Sequence, residues 1–259
     1  MERQITILDF DQTYHQQQFL RSEKCDRIEL EEMPGTNLFC DQHALSHISQ
    51  KLKQHRTNPI TLLGSGNYHY VSYILLSQIQ RPFTLVLFDH HTDMLPSPNE
   101  SLISCGSWVY DSLMKLPFLK KVILIGVNDD WIKQVPSTVA EKVIAFPEQS
   151  LHQNNATLIH SIIEEMTTTE IYISIDKDVL DPIDAVTAWD HGTLRLCRLM
   201  EIVDAITQPK EVLGVDICGE YPVTPGNAYK RGTKEAVKKN SDANRFIVKH
   251  LNETVCGKA

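Results

Sequence analysis

What most constrains this chain is a segment type it uses repeatedly, a short run of branched apolar residues without alternating polar positions. Phe83–Phe88, Lys121–Val127 and Ile171–Ile175 are of this kind. A strand with one wet face alternates apolar and polar side chains, whereas a strand buried on both faces reads as a continuous apolar run. Further strands are expected at Ile5–Phe10, Arg27–Leu30, Pro59–Leu63, Lys142–Phe146 and Val212–Ile217. Between them lie helical patterns. Ala44, Leu45, Ile48 and Leu52 make the apolar stripe of a helix over 42–54, with Asp41 as its N-cap. Other helices are expected over about 70–80, 107–115, 156–166, 195–207 and 241–252. Strands alternating with helices predict an α/β fold, a mostly parallel, doubly wound sheet of about seven or eight strands. No linker, repeat or low-complexity tract divides the chain, so one domain over residues 1–259 is expected.

The formal net charge of −8 argues against a general nucleic-acid or anionic-membrane surface. No run of 18 apolar residues exists, so no membrane span is expected. The start, Met1-Glu-Arg-Gln-Ile-Thr-Ile, lacks the apolar core of a signal peptide. The six cysteines, at 25, 40, 105, 197, 218 and 256, show no paired spacing, which fits a reduced, cytoplasmic setting.

The chemistry concentrates where apolar runs end. Phe83–Phe88 continues into Asp89-His90-His91-Thr92-Asp93. In an extended backbone, Asp89, His91 and Asp93 share one side and His90 and Thr92 the other. Ile171–Ile175 continues into Asp176-Lys177-Asp178, again with carboxylates two apart. Pro59–Leu63 runs into Gly64-Ser-Gly-Asn-Tyr-His69, whose glycine spacing fits neither phosphate-cradling fingerprint. In open α/β sheets ligands bind beyond the carboxyl ends of the strands. Four carboxylates and two imidazoles at such ends suit two divalent ions. Hard oxygen donors with a little nitrogen favour Mn²⁺ over zinc, and two such ions can share a hydroxide made nucleophilic near neutral pH.

Asp89-His-His-Thr-Asp93 resembles the D-A-H-x-D motif of the ureohydrolases, the arginase and agmatinase superfamily. Ser174-Ile-Asp-Lys-Asp-Val-Leu-Asp-Pro182 matches that family's S-x-D-x-D-x-x-D-P, and Gly64–His69 is similar to its G-G-D-H loop. The resemblance spans about residues 60–222. It implies a three-layer α/β fold, two Mn²⁺ ions and hydrolysis of a guanidino C–N bond with release of urea. Carried over, one ion would take His69, Asp89, Asp93 and Asp176, and the other His91, Asp89, Asp176 and Asp178. Asp89 and Asp176 would bridge them, and Asp178 or Asp181 would hold or relay the proton. It also implies a homo-oligomer, which no segment here specifies.

The departures are as informative. Tyr68 stands where the family has Asp, and Cys105-Gly106 where it has a proton-shuttling H-G. Cys105 is therefore a candidate weak acid, substrate contact or packing residue. The family's V-E-V-x-P, whose Glu binds the guanidinium, is replaced by Cys218-Gly-Glu-Tyr-Pro222. Glu220 comes one position late and reaches the site only through a bulge or turn. Leu95–Ser104 lacks the Asn/Ser pattern that binds the α-amino and carboxylate groups of arginine. A peptidyl arginine or another guanidino compound, larger or differently decorated than free arginine, is thus expected, with Trp108, Trp189, His191 and Tyr221 lining its approach. Two alternatives stay open: a non-catalytic metal-binding protein of this fold, and a two-metal DHH-type phosphoesterase, whose G-G-G-H motif is missing.

Overall fold

The computed structural model describes residues 5–55, 58–97, 99, 101–152 and 154–255. Cys256 and Met1–Gln4, read above for redox setting and leader, lie outside them. The strands are β1 (Ile5–Asp9), β2 (Cys25–Glu29), β3 (Phe39–Asp41), β4 (Ile60–Leu62), β5 (Phe83–Phe88), β6 (Leu102–Ser104), β7 (Leu119–Val127), β8 (Val143–Pro147), β9 (Glu170–Asp176) and β10 (Glu211–Cys218). The helices are α1 (Gln42–Gln54), α2 (Val71–Ser77), α3 (Trp108–Lys115), α4 (Asp129–Ile132), α5 (Asn155–Glu165), α6 (Leu196–Thr207) and α7 (Arg231–Thr254).

Eight strands form one sheet in the order β2-β1-β4-β10-β9-β5-β7-β8, and every pairing in it is parallel. The apolar runs explain this, because each strand sends its side chains into two separate cores. Val86, Phe88, Ile123, Ile173 and Ile175 pack on one side with Leu158 of α5, Val203 of α6 and Ile247 of α7. Leu85, Leu87, Val122 and Leu124 pack on the other with Ile48 of α1, Ile74 of α2 and Val109 of α3. The result is three layers, as the apolar pattern and the resemblance imply. Ile173 is wholly buried in mid-sheet, and Ile173→Ala would cost about 2–5 kcal/mol. Asp41 caps α1 as expected, its Oδ1 accepting from Ala44 N at 2.8 Å.

Two elements differ from expectation. Helix α7 begins at Arg231 instead of about 241, because its first three turns bury Thr233, Ala236 and Asn240, which make no apolar stripe. The second is the antiparallel pair of β3 and β6, short strands beyond those expected. That pair fixes the chain beside Cys105, whose N donates to Leu38 O at 3.0 Å. Among the described residues no helix is long and apolar enough to cross a membrane.

Register sets up the site. Phe88 lies level with Ile175, Cys218 with Asp176, and Leu62 with Ile217. The carboxyl ends of β4, β10, β9 and β5 therefore finish side by side at mid-sheet, and the chain leaving β4, β9 and β5 supplies His69, Asp176 and Asp178, and Asp89 to Asp93.

Candidate metal centre

The convergence of Asp89, His91 and Asp93 does not come from strand alternation. β5 stops at Phe88, and the chain then turns, with Asp93 in the left-handed region at φ 51°. His91 N donates to Asp89 Oδ1 at 2.6 Å. Trp108 Nε1 donates to Asp93 Oδ2 at 2.6 Å, and Val109 N donates to Asp93 O at 3.1 Å. The start of α3 thus holds Asp93 in an unusual backbone conformation that alternation alone could not supply.

His69 follows a tight turn over Gly66–Tyr68 and is almost wholly buried. Its Nδ1 lies 3.1 Å from Asp93 Oδ2, 3.4 Å from Asp89 Oδ2 and 3.5 Å from Asp176 Oδ2. On the far side its Nε2 is 2.9 Å from Ser174 Oγ, which donates to Asp216 Oδ1 at 2.6 Å. With its only proton committed to Asp216, Ser174 accepts from the ring. That fixes a proton on Nε2 and turns Nδ1 toward the carboxylates, where it can hold a second proton or ligate a cation in its place. His91 Nδ1 lies 2.9 Å from Asp178 Oδ2 and 3.5 Å from Asp89 Oδ1. Asp178 N donates to Asp176 Oδ1 at 3.0 Å, and His90 N to Asp178 Oδ1 at 3.1 Å.

The six donors form overlapping groups with ligand atoms within 4.8 Å of one another: His69, Asp89 and Asp93 in one, and Asp89, His91 and Asp178 in the next. A third joins His69 and Asp176 to the Cys218 thiol. Asp89 is common to the first two. Burial and then the neighbouring Asp178 hold the Asp89 carboxyl well above its ordinary range, and raise Asp176 likewise. Burial by itself would lower His69, but Asp93, followed by Asp176 and Asp89, raises it to about 10. Burial is likewise outweighed at His91, where Asp178 and Asp89 raise the ring to about 12. Buried carboxylates crowded this closely require compensating positive charge. The nearest ammonium in sequence, Lys177, is committed elsewhere. Mostly hard oxygen donors in two groups with a shared carboxylate fit a pair of divalent cations.

Beside the centre opens a cavity walled by Leu38, Phe39, Leu95, Cys105, Trp131 and Trp189. Cys105 is raised to about 12 by burial and then by Asp93 and Asp176, so it is a neutral thiol there. The indole of Trp189 lies against Gly66, where an added Cβ would come within 3.0 Å of the ring and 3.1 Å of Asp176 Oδ2. Trp131 and Phe39 were not expected at the site. Trp131 follows the carboxyl end of β7, a placement that could have flagged it, whereas Phe39 offers no signal beyond being apolar.

Other expected site residues do not reach the cavity. Glu220 is buried away from it, ion-paired with Lys177 and accepting from Gln17 Nε2 at 2.9 Å and Asn244 Nδ2 at 2.6 Å. The preceding Gly219 explains the diversion. It adopts φ +87°, and a Cβ there would sit 2.6 Å from Asp176 Oδ1 and 2.8 Å from Lys177 N. No side chain fits at that position, and the left-handed step turns Glu220 toward Lys177. Asp181 is a turn residue, its Oδ1 accepting from Ile183 N at 2.8 Å. His191 shapes the same loop, donating from Nδ1 to Leu180 O at 3.0 Å and accepting from Thr187 N at 3.0 Å. Trp108 is wholly buried behind the centre, with its ring centroid 4.7 Å from that of His69. Tyr221 is half-buried outside the cavity.

Comparison with known proteins gives a consistent pattern. The sequence model of the arginase family matches residues 2–234. An uncharacterised protein of Thermotoga maritima is 30% identical over 218 residues, spanning 83% of this chain and 79% of that protein. Among solved structures, formimidoylglutamase from Bacillus subtilis superposes with a TM-score of 0.66 at 16% identity, covering 96% of this chain and 86% of that one. A hypothetical agmatinase from Burkholderia thailandensis gives 0.63 at 15% identity, covering 97% and 87%. Arginase from Bacillus caldovelox gives 0.61 at 17% identity, covering 93% and 97%. At these identities the structural likeness speaks for the fold alone.

Proposed function

The chain belongs to the arginase family, and from that premise we propose that it is a two-metal hydrolase of a guanidino C–N bond. It would release urea from a substrate other than free arginine, such as a peptidyl arginine or another guanidino compound. The observation that carries this reading is the pair of donor groups sharing Asp89 at the floor of one cavity. His69, Asp89, Asp93 and Asp176 would hold one Mn²⁺, and His91, Asp89, Asp176 and Asp178 the other. Bound there, the two ions would supply Lewis acidity and a water activated near neutral pH.

The chain's own residues divide the remaining work. Ser174 and Asp216 orient His69, and Trp108 holds Asp93. Asp178, 2.9 Å from His91 Nδ1, is the carboxylate placed to hold a proton during turnover. Asp181 takes no part, because it points into its own turn. Cys105 contributes a wall contact, its thiol kept neutral chiefly by burial. The test is urea release by the Mn²⁺-loaded protein from guanidino compounds and arginine-containing peptides, alongside metal content. Turnover with about two metals per chain is the expected result. Turnover unaffected by removing all metal would sink the proposal.

A second reading, a metal-holding binder without turnover, is favoured by one observation. The carboxylate nearest the family's guanidinium-binding position is locked to Lys177. Two bound metals without urea from any compound in the panel would select it.

A further inference from the structure

Resting on that reading, we propose that the cavity selects guanidino compounds with an apolar, carboxylate-free body. The indoles of Trp131 and Trp189, instead of a carboxylate, would receive the cationic head.

Three observations carry this. First, the only charged side chains lining the cavity among the described residues are those of the centre itself: Asp89, Asp93, Asp176, Asp178, His69 and His91. Four carboxylates are largely balanced by two divalent ions, which leaves little surplus negative charge to attract a guanidinium. Glu220, which could have met it, is buried against Lys177, Gln17 and Asn244. Second, the two indoles flank His91, with ring centroids 5.3 Å from it for Trp131 and 6.0 Å for Trp189. Both indoles also line the cavity, so a cation brought to the centre meets electron-rich rings that attract it. Trp189 is held for this, its Nε1 donating to Asn67 Oδ1 at 3.2 Å and its ring lying on Gly66. Third, the outer wall is Leu38, Phe39 and Leu95, with no Lys or Arg among the lining residues. A substrate carboxylate seated there would meet no cationic partner among the described lining residues, whereas a hydrocarbon body would cover the exposed Phe39 and Leu95 side chains favourably.

The experiment uses the metal-loaded protein with three matched probes: butylguanidine, γ-guanidinobutyrate and butylurea. Urea or ammonia release and quenching of tryptophan fluorescence are both recorded. Butylguanidine should be preferred over γ-guanidinobutyrate by at least about tenfold in kcat/KM and in quenching affinity. Trp131→Leu and Trp189→Leu should each raise KM for butylguanidine about three- to thirtyfold, at unchanged metal content. Phe at either position should restore most of the loss, and inhibition by the neutral butylurea should move much less. Equal or better binding of γ-guanidinobutyrate, or an unmoved KM in both Leu variants, overturns the proposal. Quenching in the expected order without turnover of any guanidine sinks the hydrolytic reading and leaves the aromatic wall standing. Turnover without discrimination does the reverse.

Discussion

Two polar clusters lie buried on either side of one short turn, and they are built on opposite principles. Lys177 sits between Asp176 and Asp178 in sequence, yet its side chain leaves the acidic centre and enters a cluster with Glu220, Asn244 and Gln17. There each charge has a counter-charge and each donor an acceptor: Lys177 Nζ pairs with Glu220 and donates to Asn244 Oδ1 at 3.0 Å, and Asn244 Nδ2 also donates to Gln17 Oε1 at 2.9 Å. That cluster is complete as the chain folds. The other gathers four carboxylates and two imidazoles with no lysine or arginine among them, a surplus that added cations would offset. A buried polar cluster that satisfies itself is architecture, whereas one with a surplus of one sign is a binding site.

The sharpest way to break this contrast is to remove the shared carboxylate. Asp89→Ala should lose nearly all bound metal and all measurable turnover while Lys177 and Glu220 stay paired. Two tightly held metals in Asp89→Ala, by elemental analysis, would dissolve the distinction. Next in size, Lys177→Met strands the Glu220 carboxylate in the interior and should cost about 3–5 kcal/mol of unfolding free energy, read by denaturant melts. Adding Glu220→Leu should recover much of that. Metal stoichiometry should stay at wild type in the double variant, and its loss would mean that the two clusters are one device.

Smaller effects probe the support of His69. Ser174→Ala removes the acceptor that fixes the ring proton on Nε2 and should weaken metal binding about 10- to 100-fold, measured by competition with a chelating dye. An unchanged affinity would make the Ser174–Asp216 link a packing contact. Smallest is the response to pH. The raised values, about 10 for His69 and about 12 for His91, mean that both rings carry a proton at pH 7 until a cation displaces it. Metal affinity should therefore fall as pH falls, with at least about two protons released on saturation. Calorimetry in buffers of different ionisation enthalpy gives that count, and a count of zero would remove both imidazoles from the ligand set.

The same contrast explains what could be seen in advance. Phe83–Phe88 and Ile171–Ile175 declare themselves as twice-buried strands, and the carboxylates that follow are conspicuous because nothing apolar should end so acidically. His69 was within reach because it trails a strand and a glycine turn. The self-satisfied cluster was not legible, since Gln17, Lys177, Glu220 and Asn244 lie up to 227 positions apart and each alone reads as a surface residue. Glu220 was misplaced for a backbone reason: one left-handed step at Gly219 decides where its side chain goes. Trp131, Leu38 and Phe39 escaped because a cavity wall and a core are built from the same residue types. The start of α7 escaped because its buried face is small and polar.

The strand order carries a consequence for how the molecule comes into being. β10 is the last strand among the described residues, yet it lies inside the sheet between β4 and β9. Until it is made and inserted, β2-β1-β4 and β9-β5-β7-β8 are two separate ribbons with a gap one strand wide. His69 belongs to the first ribbon, and Asp89, Asp93 and Asp176 to the second. A ribosome-bound chain that has not yet reached Cys218 can bring together Asp89, His91 and Asp178 but not His69 with them. The moment His69 joins the carboxylates would serve as a clock for the closing of that gap.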